Sequence, residues 1–136
     1  MEDELTTTIR AAMPLAALLG FEAVEGSPAA VVVRGAWAPE RCTAAGVLHG
    51  GYLMTLADVA AATLAYLNLP PGSTTATIEA KTNFLAAVRS GFVTARAEAV
   101  HVGRRTIVVQ VDVSDDAGKL VSRTLQTQAV IEPDGG

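Results

Sequence analysis

The chain has little of what a disulfide, a metal centre or a nucleic-acid surface requires. Its 136 residues hold one cysteine, Cys42, and two histidines, His49 and His101. A single cysteine excludes an internal disulfide and fits a reducing compartment, so a cytoplasmic location is expected. Those three residues are too thin a set for a structural zinc site, and no metal is expected. Positive charge is also scarce: 10 Lys and Arg against 14 Asp and Glu leave a net charge of −4. A phosphate-backbone binder needs a basic face, and aromatics make up only 4% of the residues. Nucleic acid is therefore set aside. The first ten residues, MEDELTTTIR, are acidic and polar, unlike a signal or transit peptide.

What is abundant is apolar residue, at 50%, with only 18% charged. That balance predicts one folded domain over 1–136. The longest apolar stretch, Val47–Leu69, has the length of a membrane span. It nevertheless carries His49, Asp58 and Asn68 and has no basic flanks. A mid-helix carboxylate is costly in lipid, so the stretch reads as a core helix and no membrane partner is expected.

The pattern along the chain is α+β. Residues 2–12 suit a short amphipathic helix, and Pro14 opens a second, Pro14–Leu19, stopped by Gly20; together they make an N-terminal helical segment over about 2–20. Phe21–Glu25 and Ala29–Ala36 read as strands around Gly26-Ser27-Pro28, and Ala38–Gly46 as a loop. A long helix from about Gly50 to Asn68 ends at Pro70-Pro71-Gly72. Period-two alternation then marks strands over Thr74–Leu85, Phe92–Val102, Thr106–Val113 and Lys119–Ile131. Their short links predict antiparallel neighbours, giving a sheet of five to six strands packed over a central helix. In the first of them Ala76, Ile78, Ala80 and Phe84 are expected to face the core, opposite Thr75, Thr77, Glu79 and Lys81.

At 100° per residue, Leu53, Leu56, Ala60, Leu64 and Leu67 fall opposite Asp58 and should press on the sheet. The Asp58 side carries Met54, Thr55, Ala61, Ala62 and Ala65, which leaves room for a ligand or another subunit. A buried carboxylate is costly, so Asp58 is either hydrogen-bonded for structure or retained for chemistry. His49-Gly50-Gly51 opens the helix. Glycines there expose backbone N–H groups to an anion or oxyanion, or simply permit close packing. Gly50 and Asp58 are eight residues apart, about 12 Å at roughly 1.5 Å per residue. One small reacting group cannot easily reach both, so two antiparallel helices sharing two sites in a two-fold dimer are expected.

HGG followed by Asp58 in LADVAAA, then TIEAKTNFLAAVRSG and HVGRRTIVVQVDV, resembles the hotdog-fold acyl-CoA thioesterases of the phenylacetate-pathway (PaaI-like) group over roughly Ala29 to Ile131. The resemblance implies a helix wrapped by an antiparallel sheet, homodimers with one continuous sheet, and dimers of dimers. It implies hydrolysis of an acyl-CoA substrate with no cofactor beyond the coenzyme A of that substrate. Asp58 would activate water or attack the thioester, and the Gly50 amide, with Gly51 beside it, would polarise the carbonyl from the facing subunit. His49 would order the helix start, and Thr77 would contact water or substrate. Thr43 stands where many relatives carry Asn or Gln. Arg104 and Arg105 are either a solvated turn pair or a clamp for the coenzyme A phosphates. Arg89 is a further candidate for that clamp, Trp37 reads as packing, and Cys42 lacks an activating base. Two other readings of the same pattern stand beside hydrolysis: an enoyl-CoA hydratase or dehydratase, which usually pairs a His with an acid, and a non-catalytic acyl-CoA binding module.

Overall fold

Pro70, Pro71 and Gly72 end one long helix and send the chain into a run of alternating strands, and that switch organises the whole molecule. The computed structural model describes residues 2–133. Two short helices, α1 (Glu2–Ala12) and α2 (Pro14–Leu18), precede strands β1 (Glu22–Gly26) and β2 (Ala30–Ala36). The long helix α3 (Gly50–Leu67) follows, then β3 (Thr74–Phe84), β4 (Phe92–Val102), β5 (Thr106–Asp115) and β6 (Leu120–Ile131). The segment read as a loop before α3 holds two single turns of 3-10 helix, Pro39–Arg41 and Ala44–Gly46.

The six strands form one antiparallel sheet in the order β1-β2-β4-β5-β6-β3. Strand β3 therefore pairs with β6 and not with β4, its successor in the chain. The reason lies in the segment between them. Val88 is buried there and its carbonyl accepts from the Leu48 N–H just before α3. The link thus crosses the helix start, leaving β3 on the far edge.

Helix α3 lies in the curve of this sheet. Leu53, Leu56, Ala60 and Leu64 are buried, as their spacing opposite Asp58 predicts, while Leu67 is half-buried. They pack on Val93, Ala95 and Ala97 of β4 and on Ile107, Val109, Val111 and Val113 of β5, all fully buried. Alanines on β4 let the helix approach closely, which is why the alternation there uses small residues. By length and composition α3 could cross a membrane, but 56% of it is buried inside the fold.

The expected inward face of β3 is half right. A bulge between Thr77 and Glu79 inserts Ile78 as an extra residue, so the alternation reverses there. Thr75 and Thr77 point inward before the bulge, Ala80, Thr82 and Phe84 after it. Ile78 faces out at 58% exposure. An alternation count that assumes unbroken pleating turns the wrong residues inward.

Candidate active site

His49 caps helix α3 from outside its first turn. Its backbone is extended at φ −64 and ψ 138, and its Nδ1 accepts from the Gly51 N–H at 2.8 Å. The His49 carbonyl accepts from the Tyr52 N–H at 3.0 Å. Among the described residues the Gly50 N–H has no acceptor. The helix start therefore offers one free amide, Gly50, and not a pair: Gly51 is committed to the imidazole.

Close packing explains the glycines as well. A Cβ on Gly50 would stand 3.0 Å from the Phe84 ring, and one on Gly51 would stand 3.0 Å from His49 Nδ1. The glycine pair thus combines close packing with one free amide, that of Gly50. The loop before them is braced by a one-pair bridge between Cys42 and Leu48 and by the Trp37 Nε1–H donating to the Gly46 carbonyl at 2.9 Å. Thr43 sits exposed on this loop. Its N–H donates to Val47, and its hydroxyl has no partner among the described residues.

Asp58 lies on the α3 face turned toward β3 and β6. Thr77 Oγ1 donates to Asp58 Oδ1 at 2.9 Å, and Gln126 Nε2 donates to the same oxygen. Behind them Gln128 Nε2 donates to Thr77 Oγ1 at 2.8 Å, and Gln126 Nε2 reaches it at 3.1 Å. Asp58 Oδ2 accepts nothing from the described residues. The carboxylate is held by one oxygen and free at the other.

The expectation that Thr77 faces away from the core is corrected by the β3 bulge, which leaves it inward and in contact with Asp58. Two residues of this cluster, Gln126 and Gln128, were not singled out from the sequence. The signal was present: Ser122, Thr124, Gln126 and Gln128 alternate along β6 and are all buried. An apolar-inward rule passes over them, because here the inward face is the polar one. The buried Gln126 Oε1 and Ser122 Oγ have no hydrogen-bond partner among the described residues.

Arg104 and Arg105 stand exposed in the β4–β5 turn, with no ion pair among the described residues. Thr106 pairs with Ala129, and Thr74 with Ile131, so this turn lies at the sheet end where α3 finishes and β3 begins. Gly50 lies at the opposite end of α3. Within one chain the structure brings Asp58 and Thr77 together, and it separates both from Gly50 and Thr43.

Residues 45–122 match the family model of the thioesterase superfamily. A 1,4-dihydroxy-2-naphthoyl-CoA hydrolase of Listeria monocytogenes serotype 1/2a (strain 10403S) is 38% identical over 85 residues, covering 62% of this chain and 69% of the relative. The crystal structure of thioesterase HI1161 from Haemophilus influenzae superposes with a TM-score of 0.90 at 28% identity, over 97% of this chain and 91% of that one. A hypothetical thioesterase protein of Streptococcus pneumoniae TIGR4, solved with coenzyme A, gives a TM-score of 0.76 at 28% identity, over 83% and 87% of the two chains. The helix-wrapping antiparallel sheet and the HGG helix start agree with the matched family and the matched fold: this chain belongs to the thioesterase superfamily and has the hotdog fold.

Proposed function

We propose that the chain hydrolyses acyl-coenzyme A thioesters at two sites shared across a homodimer, with Asp58 as the reacting carboxylate. The observation that carries this reading is the state of Asp58, anchored through Oδ1 by Thr77 and Gln126 and, among the described residues, unpartnered at Oδ2. Donors on one oxygen fix the orientation of the carboxylate and leave the other oxygen for the reaction. The free oxygen takes a proton from water, the resulting hydroxide adds to the thioester carbonyl, and the tetrahedral adduct expels the coenzyme A thiolate. Direct attack by the same oxygen, followed by hydrolysis of the anhydride, uses the same geometry.

The oxyanion donor comes from the second subunit. Of the two sheet edges, β1 is short and packed by α1, whereas β3 is eleven residues long and open. A long uncovered edge is a template for pairing. Two β3 strands meeting antiparallel about a two-fold axis lay the α3 helices side by side in opposite directions. The partner's helix start, with its free amide, then approaches the end of α3 beside which the β4–β5 turn carries Arg104 and Arg105. One site thus draws Asp58, Thr77, Gln126 and the arginine turn from one chain. Gly50, His49 and Thr43 come from the other. The arginines meet the coenzyme A phosphates, and the Thr43 hydroxyl contacts the water or the thioester oxygen. Coenzyme A enters only as part of the substrate, and the dimers associate further in pairs.

The test is thiol release from a panel of acyl-CoAs, including an aromatic member such as 1,4-dihydroxy-2-naphthoyl-CoA, the substrate in the Listeria relative's name. Wild type should turn over at least one. Asp58→Asn and Asp58→Ala should lose most of that rate, and full turnover in both would overturn the assignment of the carboxylate. Binding without turnover by wild type would instead favour a binding module.

A further inference from the structure

Resting on the reading of Asp58 as the reacting carboxylate, we infer that Gln126 is a positioning residue for the reaction, with Gln128 setting the donor that works beside it. Gln126 lies on the inner face of β6, between Val109 on β5 and Ala80 on β3. That is a core position, and Gln126 is fully buried in it. A glutamine there is expensive unless its amide is fully used, and it is not: Nε2 reaches Asp58 and Thr77, but Oε1 has no partner among the described residues. Packing alone would be better served by a methionine or leucine of similar volume. What the glutamine adds is two N–H donors at the foot of the carboxylate.

The direction of each bond in the cluster follows from the donors available. Gln128 Oε1 accepts from the Thr75 hydroxyl at 3.1 Å, which points its amide nitrogen at Thr77. Thr77 Oγ1 then accepts from both glutamines, so its single proton is left for Asp58. Thr77 is thereby kept a donor. Asp58 Oδ1 receives two donors and cannot act as the base, so proton transfer falls to Oδ2. Asp58 is the only titratable side chain bonded within this cluster among the described residues. The neighbouring Glu79 is turned to the outer face, where it accepts from Thr127 at 2.8 Å.

The test uses two substitutions in the full-length protein, measured by thiol release from whichever acyl-CoA the panel shows to be turned over. Gln126→Met keeps the volume and deletes the donors. It should lower kcat about 10- to 100-fold, the range for a hydrogen bond to a charged group, with KM within about twofold. Gln126→Glu keeps the shape and replaces the donor by a group that donates only when protonated. It should be most impaired at high pH and recover relative to wild type as the pH falls, because the introduced carboxyl then carries a proton to give to Asp58. A role in folding alone would not invert the pH response. Wild-type kcat in Gln126→Met, or a Gln126→Glu profile parallel to wild type, overturns the inference. Where Gln126→Met fails to fold, the Gln126→Glu profile decides. Loss of activity in Asp58→Asn together with wild-type behaviour at Gln126 defeats this inference alone. Retained activity in Asp58→Asn defeats the reading beneath it.

Discussion

The Thr77 hydroxyl donates to Asp58 Oδ1 at 2.9 Å, joining the exposed edge strand of the sheet to the middle of its central helix. Thr77→Val removes this donor while keeping the shape, and it leaves the Gln128 amide facing a methyl group. Turnover should fall about 10- to 100-fold, whereas Thr77→Ser should keep most of it. Steady-state kcat on the preferred acyl-CoA checks both.

Gly50 occupies the first position of α3, where proline is tolerated because its N–H is unpaired in any helix. His49, at φ −64 and ψ 138, already has the conformation that a residue before proline prefers. Gly50→Pro should therefore delete the oxyanion donor and keep the fold, with the half-exposed Phe84 ring moving aside. Mixed and refolded with Asp58→Ala, it should recover up to about a quarter of wild-type activity, since half the dimers are mixed and each has one complete site. No recovery in verified heterodimers would place both groups of a site in one chain.

Gly51→Ala acts differently. Its Cβ would meet His49 Nδ1 at 3.0 Å and push the imidazole off the helix end. Losing that cap should cost about 1 kcal/mol, read as a lower thermal midpoint.

Arg104→Ala and Arg105→Ala should raise KM for acyl-CoA several-fold with kcat nearly unchanged, because they hold a part of the substrate that does not react. The difference from wild type should shrink with added salt, which screens exposed phosphate contacts. Equal KM at low salt would return the pair to an ordinary solvated turn.

Tyr52 supplies a pH prediction. It is buried, its hydroxyl donates to the Ala36 carbonyl at 3.1 Å, and burial raises its pKa above 10.0, partly offset by Arg41 beside the ring. A raised pKa in the folded state means the fold favours the protonated phenol. That stabilisation is complete below the unfolded value of 10.0 and is lost as pH rises through the higher folded value. Wild type should thus be more stable than Tyr52→Phe at neutral pH, by about 0.5–1.5 kcal/mol for the hydrogen bond. The gap should narrow as the pH rises above 10.0. Chemical denaturation at several pH values measures it.

Much of this site was legible in the linear order. The HGG start, the spacing to Asp58 and the leucine stripe opposite it all follow from helix periodicity, since a helix places each side chain by counting. The shared-site expectation came from the same count, because about 12 Å of helix separates the amide from the acid. Strands are less obliging. One inserted residue reverses every side chain beyond it, and the bulge at Ile78 could not be seen in the alternation of Thr74–Leu85. The inward polar row of β6 was hidden for a related reason: a rule that sends apolar residues inward fails where buried side chains supply donors to a carboxylate, and Asp58 itself is exposed rather than buried as expected.

The sequence by itself determined the helix, its glycine-opened start, the acid on its small face and the run of antiparallel strands after it. Each depends on residues close together along the chain. Only the tertiary structure decided that β3 crosses to pair with β6, that a bulge aims Thr77 at Asp58, and that Gln126 and Gln128 meet there. Those relations join residues 19 to 68 positions apart. They are set by how the sheet curves around the helix, which no local pattern encodes.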